Sequence, residues 1–124
     1  MAVSRAYLDY VLGQLGAVEA LRVRRMFGAA GLYSGELFFA IVSEDTLYLR
    51  ADDASRADFT SRHLPPFRPY ADRPEVSMTY FAMPAELLED AEELLAWARR
   101  SVAVAARAPR KTRAPRRNRA RRPG

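Results

Sequence analysis

Basic side chains that could bind phosphate are concentrated at the C-terminal end of this 124-residue chain. Residues 107–124 carry nine of the twenty lysines and arginines and no carboxylate, so their formal charge is +9. Residues 1–106 hold eleven arginines against all fifteen acidic residues and sum to −4. Such polycations bind DNA or RNA mainly by releasing counterions, with little preference for base sequence. Contacts with phosphate are predicted for Arg110, Lys111, Arg113, Arg116, Arg117, Arg119, Arg121 and Arg122.

Residues 107–124, called the basic arm below, are also predicted to be disordered. The segment contains several prolines and no apolar run. It therefore cannot bury enough apolar surface to offset the conformational entropy that it would lose on folding. It contains no aromatic residue on which a base could stack. Two alternatives stay open: a solvated tail without a dedicated partner, and a polycation that binds acidic protein or membrane surfaces.

Carboxylates offer a second kind of chemistry, since a group of them could hold Mg²⁺ or act as an acid–base pair. The candidates stand where helices should begin, and capping together with the helix dipole explains acidic residues there. They are Asp52, Asp53, Glu89, Asp90, Glu92 and Glu93. We therefore predict a non-enzymatic protein with no catalytic residue, metal or cofactor. A small carboxylate-dependent or metal-dependent enzyme is the alternative.

Neither histidine nor glycine adds a recognisable site. His63 is the only histidine and the chain has no cysteine, so the ligands of an ordinary zinc site are missing. No serine stands in a nucleophile-elbow pattern that could form a catalytic triad with His63. His63 is therefore predicted to lie on the surface. Gly28 and Gly31 fit neither a Walker nor a dinucleotide-binding pattern. We interpret both as turn glycines.

A smaller basic cluster, Arg22, Arg24 and Arg25, lies at the predicted strand 23–27. On an alternating strand Arg22 and Arg24 point to one side and Arg25 to the other, so the three charges do not form one patch. We expect these arginines to lie on a solvated edge strand or to form ion pairs with the acidic helices. A partner surface formed by Arg24, Arg25 and Phe27 is the functional alternative.

The first half of the chain predicts a helix followed by a meander. Ser4 as N-cap and apolar residues at helical spacing predict a helix that ends near Gly16. Between residues 23 and 50, turns at Ser34–Gly35 and Glu44–Asp45 separate three or four antiparallel strands.

The second half predicts two helical segments around one more strand. A short helix should follow Asp52, the proline-rich stretch 63–74 should be irregular, and residues 76–83 alternate as a strand. Asp90 has capping-box spacing for a long last helix. Its apolar stripe is Leu94, Ala98, Val102 and Ala105, widened by Leu95 and Trp97.

Residues 1–106 are therefore predicted to form one α+β domain of two layers. An antiparallel sheet of about five strands is covered by helices, in the order helix, strands, helix, strands, helix. No run of 18 apolar residues occurs, and Arg5 and Asp9 interrupt the region where a signal peptide needs one. We expect a cytoplasmic protein without membrane association.

Several segments form a linked pattern along roughly residues 4–106. They are Arg25–Gly28, Gly31–Tyr33, Leu47–Leu49, Asp52–Asp53, Met78 with Tyr80, and the ending Pro84, Glu89, Asp90, Glu93, Leu94, Leu95, Trp97 and Ala98. Together they resemble the N-terminal domain of the TfoX/Sxy family, known for competence regulators. The resemblance implies an α+β fold and an intracellular, non-enzymatic role in regulating transcription.

Two departures limit what the resemblance implies. Ala29 and Ala30 stand where the family usually has glycine and an aromatic residue, and the basic arm takes the place of the competence regulators' second domain. Regulation of competence is therefore not carried over. The expected protein is a regulatory module, monomeric or homodimeric, that binds nucleic acid through its arm and a protein partner through its domain. A homodimeric interaction module with an incidental tail is the other alternative.

Overall fold

A computed structural model describes residues 4–26, 28–67 and 79–108. Along the chain the elements are α1 (Arg5–Gln14), β1 (Leu21–Met26), β2 (Ala29–Ser34), β3 (Leu37–Ser43), β4 (Thr46–Arg50), α2 (Arg56–Thr60), β5 (Tyr80–Ala82), α3 (Ala85–Leu88) and α4 (Ala91–Arg107). This order confirms the predicted α+β class.

The five strands form one antiparallel sheet in which spatial order follows chain order, β1-β2-β3-β4-β5. Ser43 pairs with Thr46, so Glu44 and Asp45 form the two-residue turn that was predicted, both with positive φ (50° and 54°). That pair of left-handed residues matches the twist of a tight hairpin. The preceding turn lies one residue later than predicted, because Ser34 pairs with Leu37 and leaves Gly35 and Glu36 in the loop.

A β-bulge interrupts the pairing of β2 with β3. Leu32 pairs with Ala40 but Tyr33 pairs with Phe38, so Phe39 has no partner across the strand. The extra residue lets Phe39 and Ala40 both contribute to the core, where both are fully buried.

The helices cover one face of the sheet, called the helix face below. α4 packs across β3 and β4. Paired side chains of an antiparallel ladder share a face, and the buried apolar pairs of β2, β3 and β4 therefore meet the helices together. The core residues of these strands are Ala30, Leu32, Phe39, Ala40, Val42, Leu47 and Leu49.

Capping residues begin the first and last helices as predicted. Ser4 Oγ accepts a hydrogen bond from the Tyr7 amide at 3.1 Å, and Asp90 Oδ1 accepts one from the Glu93 amide at 3.2 Å. Each cap satisfies an amide that has no partner inside the helix and contributes about 1 kcal/mol.

The buried stripe of α4 differs from the predicted one. Ser101 and Val104 are buried, whereas Val102 is half-buried. Ser101 can be buried because its hydroxyl donates to the Arg50 carbonyl of β4 at 2.8 Å. Of the predicted strand 76–83, residues 76–78 lie outside the described part of the chain, and β5 covers Tyr80–Ala82.

Candidate nucleic-acid interface and partner surface

The basic arm is joined to the domain at the C-terminal end of α4. Arg107, the first residue of the arm, is the last residue of this helix, and its guanidinium donates to Asp52 Oδ2 at 2.8 Å. Asp52 Oδ1 also accepts the Ser55 amide at 3.0 Å and the Ser55 hydroxyl at 3.1 Å, which holds the start of the α2 region. The eight predicted phosphate-binding residues, Arg110, Lys111, Arg113, Arg116, Arg117, Arg119, Arg121 and Arg122, lie outside the described residues.

The contacts at this junction change the pKa of Asp52. Its hydrogen bond from Arg107, followed by the bond from the Ser55 amide, lowers the pKa of the carboxyl well below its usual value, to about 2. The carboxylate is therefore charged at neutral pH, and it serves as a structural anchor. Sequence reasoning assigned Asp52 to capping but did not find Arg107 as its partner, because the two residues are 55 positions apart.

The other arginines of α4 are also engaged with the domain. Arg99 pairs with Glu19 at 3.1 Å, and Arg100 pairs with Asp58 of α2. The Arg100 guanidinium also lies 4.9 Å from the centre of the Trp97 ring. These charges balance acidic residues of the domain, so the helix contributes little positive charge for an external phosphate.

β1 forms one edge of the sheet and carries the smaller basic cluster. Arg22 pairs with Tyr33 and Arg24 with Gly31, which places both arginines opposite the helices, whereas Arg25 pairs with buried Ala30 on the helix face. The predicted split of the three charges is confirmed.

The three arginines of this edge differ in their contacts. Arg22 donates to the Gly35 carbonyl at 2.8 Å and lies 5.7 Å from the centre of the Tyr33 ring. Arg24 and Arg25 are exposed, and within the described residues neither makes an ion pair. Phe27, the third residue of the predicted partner surface, lies outside that part of the chain.

The face of the sheet opposite the helices carries a row of stacked aromatic rings. The Tyr33 and Phe38 ring centres are 5.0 Å apart, and those of Phe38 and Tyr80 are 5.6 Å apart. Arg50 donates to the Phe38 carbonyl at 3.0 Å and lies 6.0 Å from the centre of the Tyr80 ring. Burial raises the pKa of the Tyr80 phenol, and the nearby Arg50 charge opposes this rise. Tyr80 is only 5% exposed, and Tyr33 and Phe38 are half-buried, so the row is not a fully open stacking platform.

The remaining candidates have structural explanations. His63 is exposed, as predicted. Asp90 caps α4, and Glu93 accepts a hydrogen bond from the Trp97 indole at 3.3 Å. No group of three or more histidine, aspartate or glutamate side chains in the described ranges could hold a metal ion.

Only one of the two glycines lies in a turn. Gly28 has φ 79° and follows β1, as the prediction required. Gly31 is inside β2, where it pairs with Arg24 and with Ile41, so its interpretation as a turn glycine was wrong. A glycine within a strand leaves the local sequence ambiguous between a turn and a strand.

The five strands and most of α4 lie within a segment that matches a known domain family. Residues 13–105 match the family model of the TfoX N-terminal domain. The chain belongs to this family. The TfoX N-terminal domain family is not a known enzyme family, and membership supports a regulatory, TfoX-like domain. A search of the curated proteins found no match. Within the described residues, none of the helices combines the length and the hydropathy needed to cross a membrane.

Proposed function

We propose that this protein is a non-enzymatic regulatory module whose TfoX-like domain carries a basic arm that binds nucleic acid without sequence preference. The observation that carries the proposal is the separation of charge at the end of α4. The domain sums to −4, whereas the 18 residues of the arm sum to +9 without one acid.

The position of the arm supports the same function. Arg107 is held by Asp52 at 2.8 Å, so the chain leaves the domain at a defined point beside the Asp52 loop. The family match ends at residue 105, just before this point. The arm therefore adds a charged segment beyond the part of the chain that the family model covers.

Counterion release sets the expected strength of salt dependence. If about five arm charges contact phosphates of duplex DNA, log K falls with log salt with a slope of about −4.5. Affinity then drops about 500-fold between 50 and 200 mM salt.

The test compares two charge-neutralised variants of the full chain by fluorescence anisotropy with a labelled mixed-sequence duplex. In the first, Arg110, Lys111, Arg113, Arg116, Arg117, Arg119, Arg121 and Arg122 are all replaced by glutamine, and binding should be lost. In the second, Arg24→Gln and Arg25→Gln are combined, and affinity should change only slightly. Binding that survives in the first variant and collapses in the second would place the interface on the domain and contradict the proposal.

We further propose that β1 is the surface through which the domain binds a protein partner. It is an edge strand six residues long, and edge strands present unpaired backbone groups that an extended segment can join. Val23 is 39% exposed between the arginines. An acidic extended segment fits this edge better than a second copy of the chain, because antiparallel pairing of two β1 strands would bring their arginines together.

Calorimetric titration of the full chain with a synthetic peptide of alternating valine and glutamate tests this surface. Binding should be weakened at least tenfold by Arg24→Glu with Arg25→Glu, whereas Arg5→Glu on α1 should leave it unchanged. Equal binding of a valine–lysine peptide would refute recognition of an acidic strand.

A further inference from the structure

A cleft lies between α2 and the β5 edge, at the opposite edge of the sheet from β1. Its volume is about 550 Å³, within the range of small-molecule sites. Arg56, Thr60, His63 and Thr79 supply its polar lining, and Leu64 and Phe81 belong to its apolar part. No carboxylate contributes to the lining formed by described residues.

The α2 wall of the cleft is built by helical spacing and by the way the helix ends. Arg56 and Thr60 are four residues apart, so they lie on one face of the helix. His63 lies in the turn that follows α2 and has φ 60°, a left-handed conformation in which histidine is more common than most residues. Its amide donates to the Thr60 carbonyl at 3.0 Å, and the Leu64 amide donates to the Phe59 carbonyl at 3.2 Å. This ending brings the imidazole to the same cleft as Arg56.

The opposite wall is formed at the start of β5. Thr79 lies immediately before this strand and Phe81 lies within it, and both contribute to the lining. The Phe81 ring stacks on Phe59 with centres 5.2 Å apart, which fixes the base of the wall against the core. The Thr79 carbonyl accepts the Ala51 amide at 2.8 Å. Within the described residues the hydroxyls of Thr60 and Thr79 make no hydrogen bond, so both can serve a ligand.

Charge and donor chemistry decide the class of ligand. Arginine, threonine and histidine can all donate hydrogen bonds to an oxyanion, and the guanidinium fork matches a carboxylate with two parallel bonds. Among the described residues Asp53 is the acidic partner of Arg56, at 3.9 Å, but the Asp53 side chain is fully exposed and such a pair is weak. The apolar part of the lining suits the hydrocarbon portion of the same ligand.

We propose that this cleft binds a small organic carboxylate, with its carboxylate group against Arg56, Thr60, His63 and Thr79 and its apolar body against Leu64 and Phe81. This site goes beyond the proposed nucleic-acid function and does not depend on it. It would give a regulatory domain a place for a small-molecule effector.

The experiment is an NMR titration of the full-length ¹⁵N-labelled chain with benzoate at constant ionic strength. Benzamide serves as the neutral analogue, and inorganic phosphate serves as the anion without an apolar body. Saturable shifts are expected for the Thr60, His63 and Thr79 amides with benzoate. Benzamide and phosphate should bind at least about tenfold more weakly, because benzamide lacks the negative charge and phosphate lacks the apolar body.

Two variants make the assignment specific. Arg56→Gln should weaken benzoate binding at least about tenfold, and His63→Asn should weaken it while keeping a residue that tolerates the left-handed backbone. Arg5→Gln is the matched control, since Arg5 is another exposed helical arginine, 3.8 Å from its own partner Asp9. Absence of saturation, equal binding of benzamide or phosphate, or unchanged affinity in Arg56→Gln would each overturn the proposal.

Discussion

Phe39→Ala should destabilise the domain much more than Phe38→Ala, because the β-bulge turns Phe39 into the core. Phe39 is fully buried beneath the helices, whereas Phe38 is half-buried on the opposite face. Truncating a buried phenylalanine to alanine costs about 3–5 kcal/mol, since it removes apolar burial and leaves a cavity. For a domain of this size, about 4 kcal/mol corresponds to a fall in Tm of about 20 °C.

Phe38 is the matched control because it is the same residue type in the next position of the same strand. Its loss removes stacking with Tyr33 and Tyr80 and part of its burial, which together contribute about 1–2 kcal/mol. Urea unfolding followed by circular dichroism measures both free energies of unfolding. A regular strand without the bulge would reverse the two positions, so a larger loss for Phe38→Ala would refute this register.

Two further predictions concern contacts of α4. Asp52→Asn should lower Tm at pH 7. Because the folded-state pKa of Asp52 lies below its unfolded-state value, this contribution is present above about pH 4 and is lost as the pH falls through about 2. Thermal melts of both proteins across that range check the prediction, and a Tm difference as large at pH 2 as at pH 7 would contradict it. Ser101→Ala should cost about 1 kcal/mol in urea unfolding, since the Arg50 carbonyl loses its 2.8 Å donor; an unchanged midpoint would show that this bond adds nothing.

Local signals were sufficient to predict most of the elements. The caps at Ser4 and Asp90 depend on side chains that bond within three residues, and the alternation of Leu47 and Leu49 depends on one strand alone. Patterns of this kind involve only neighbouring residues and can be recognised in the sequence. For that reason the order of elements and the α+β class could be predicted correctly.

Features that depend on two distant segments could not be predicted. The extra residue at Phe39 is defined by how β3 pairs with β2, and no local residue marks it. Burial of Ser101 requires the Arg50 carbonyl, 51 residues away. The Asp52–Arg107 pair and the cleft at Arg56 likewise join segments that only the folded sheet brings together.

The central claim is that the arm binds nucleic acid by charge alone. The most direct test is to measure how the affinity of the full-length protein for duplex DNA and for a single strand depends on salt concentration. Anisotropy titrations across a salt series should give a slope of log K against log salt of about −4.5 for duplex DNA and about −3.5 for a single strand, the ratio expected when the same five charges release counterions from each. The slopes should not change with base sequence. No binding at low salt, or binding whose affinity is independent of salt, would contradict the account.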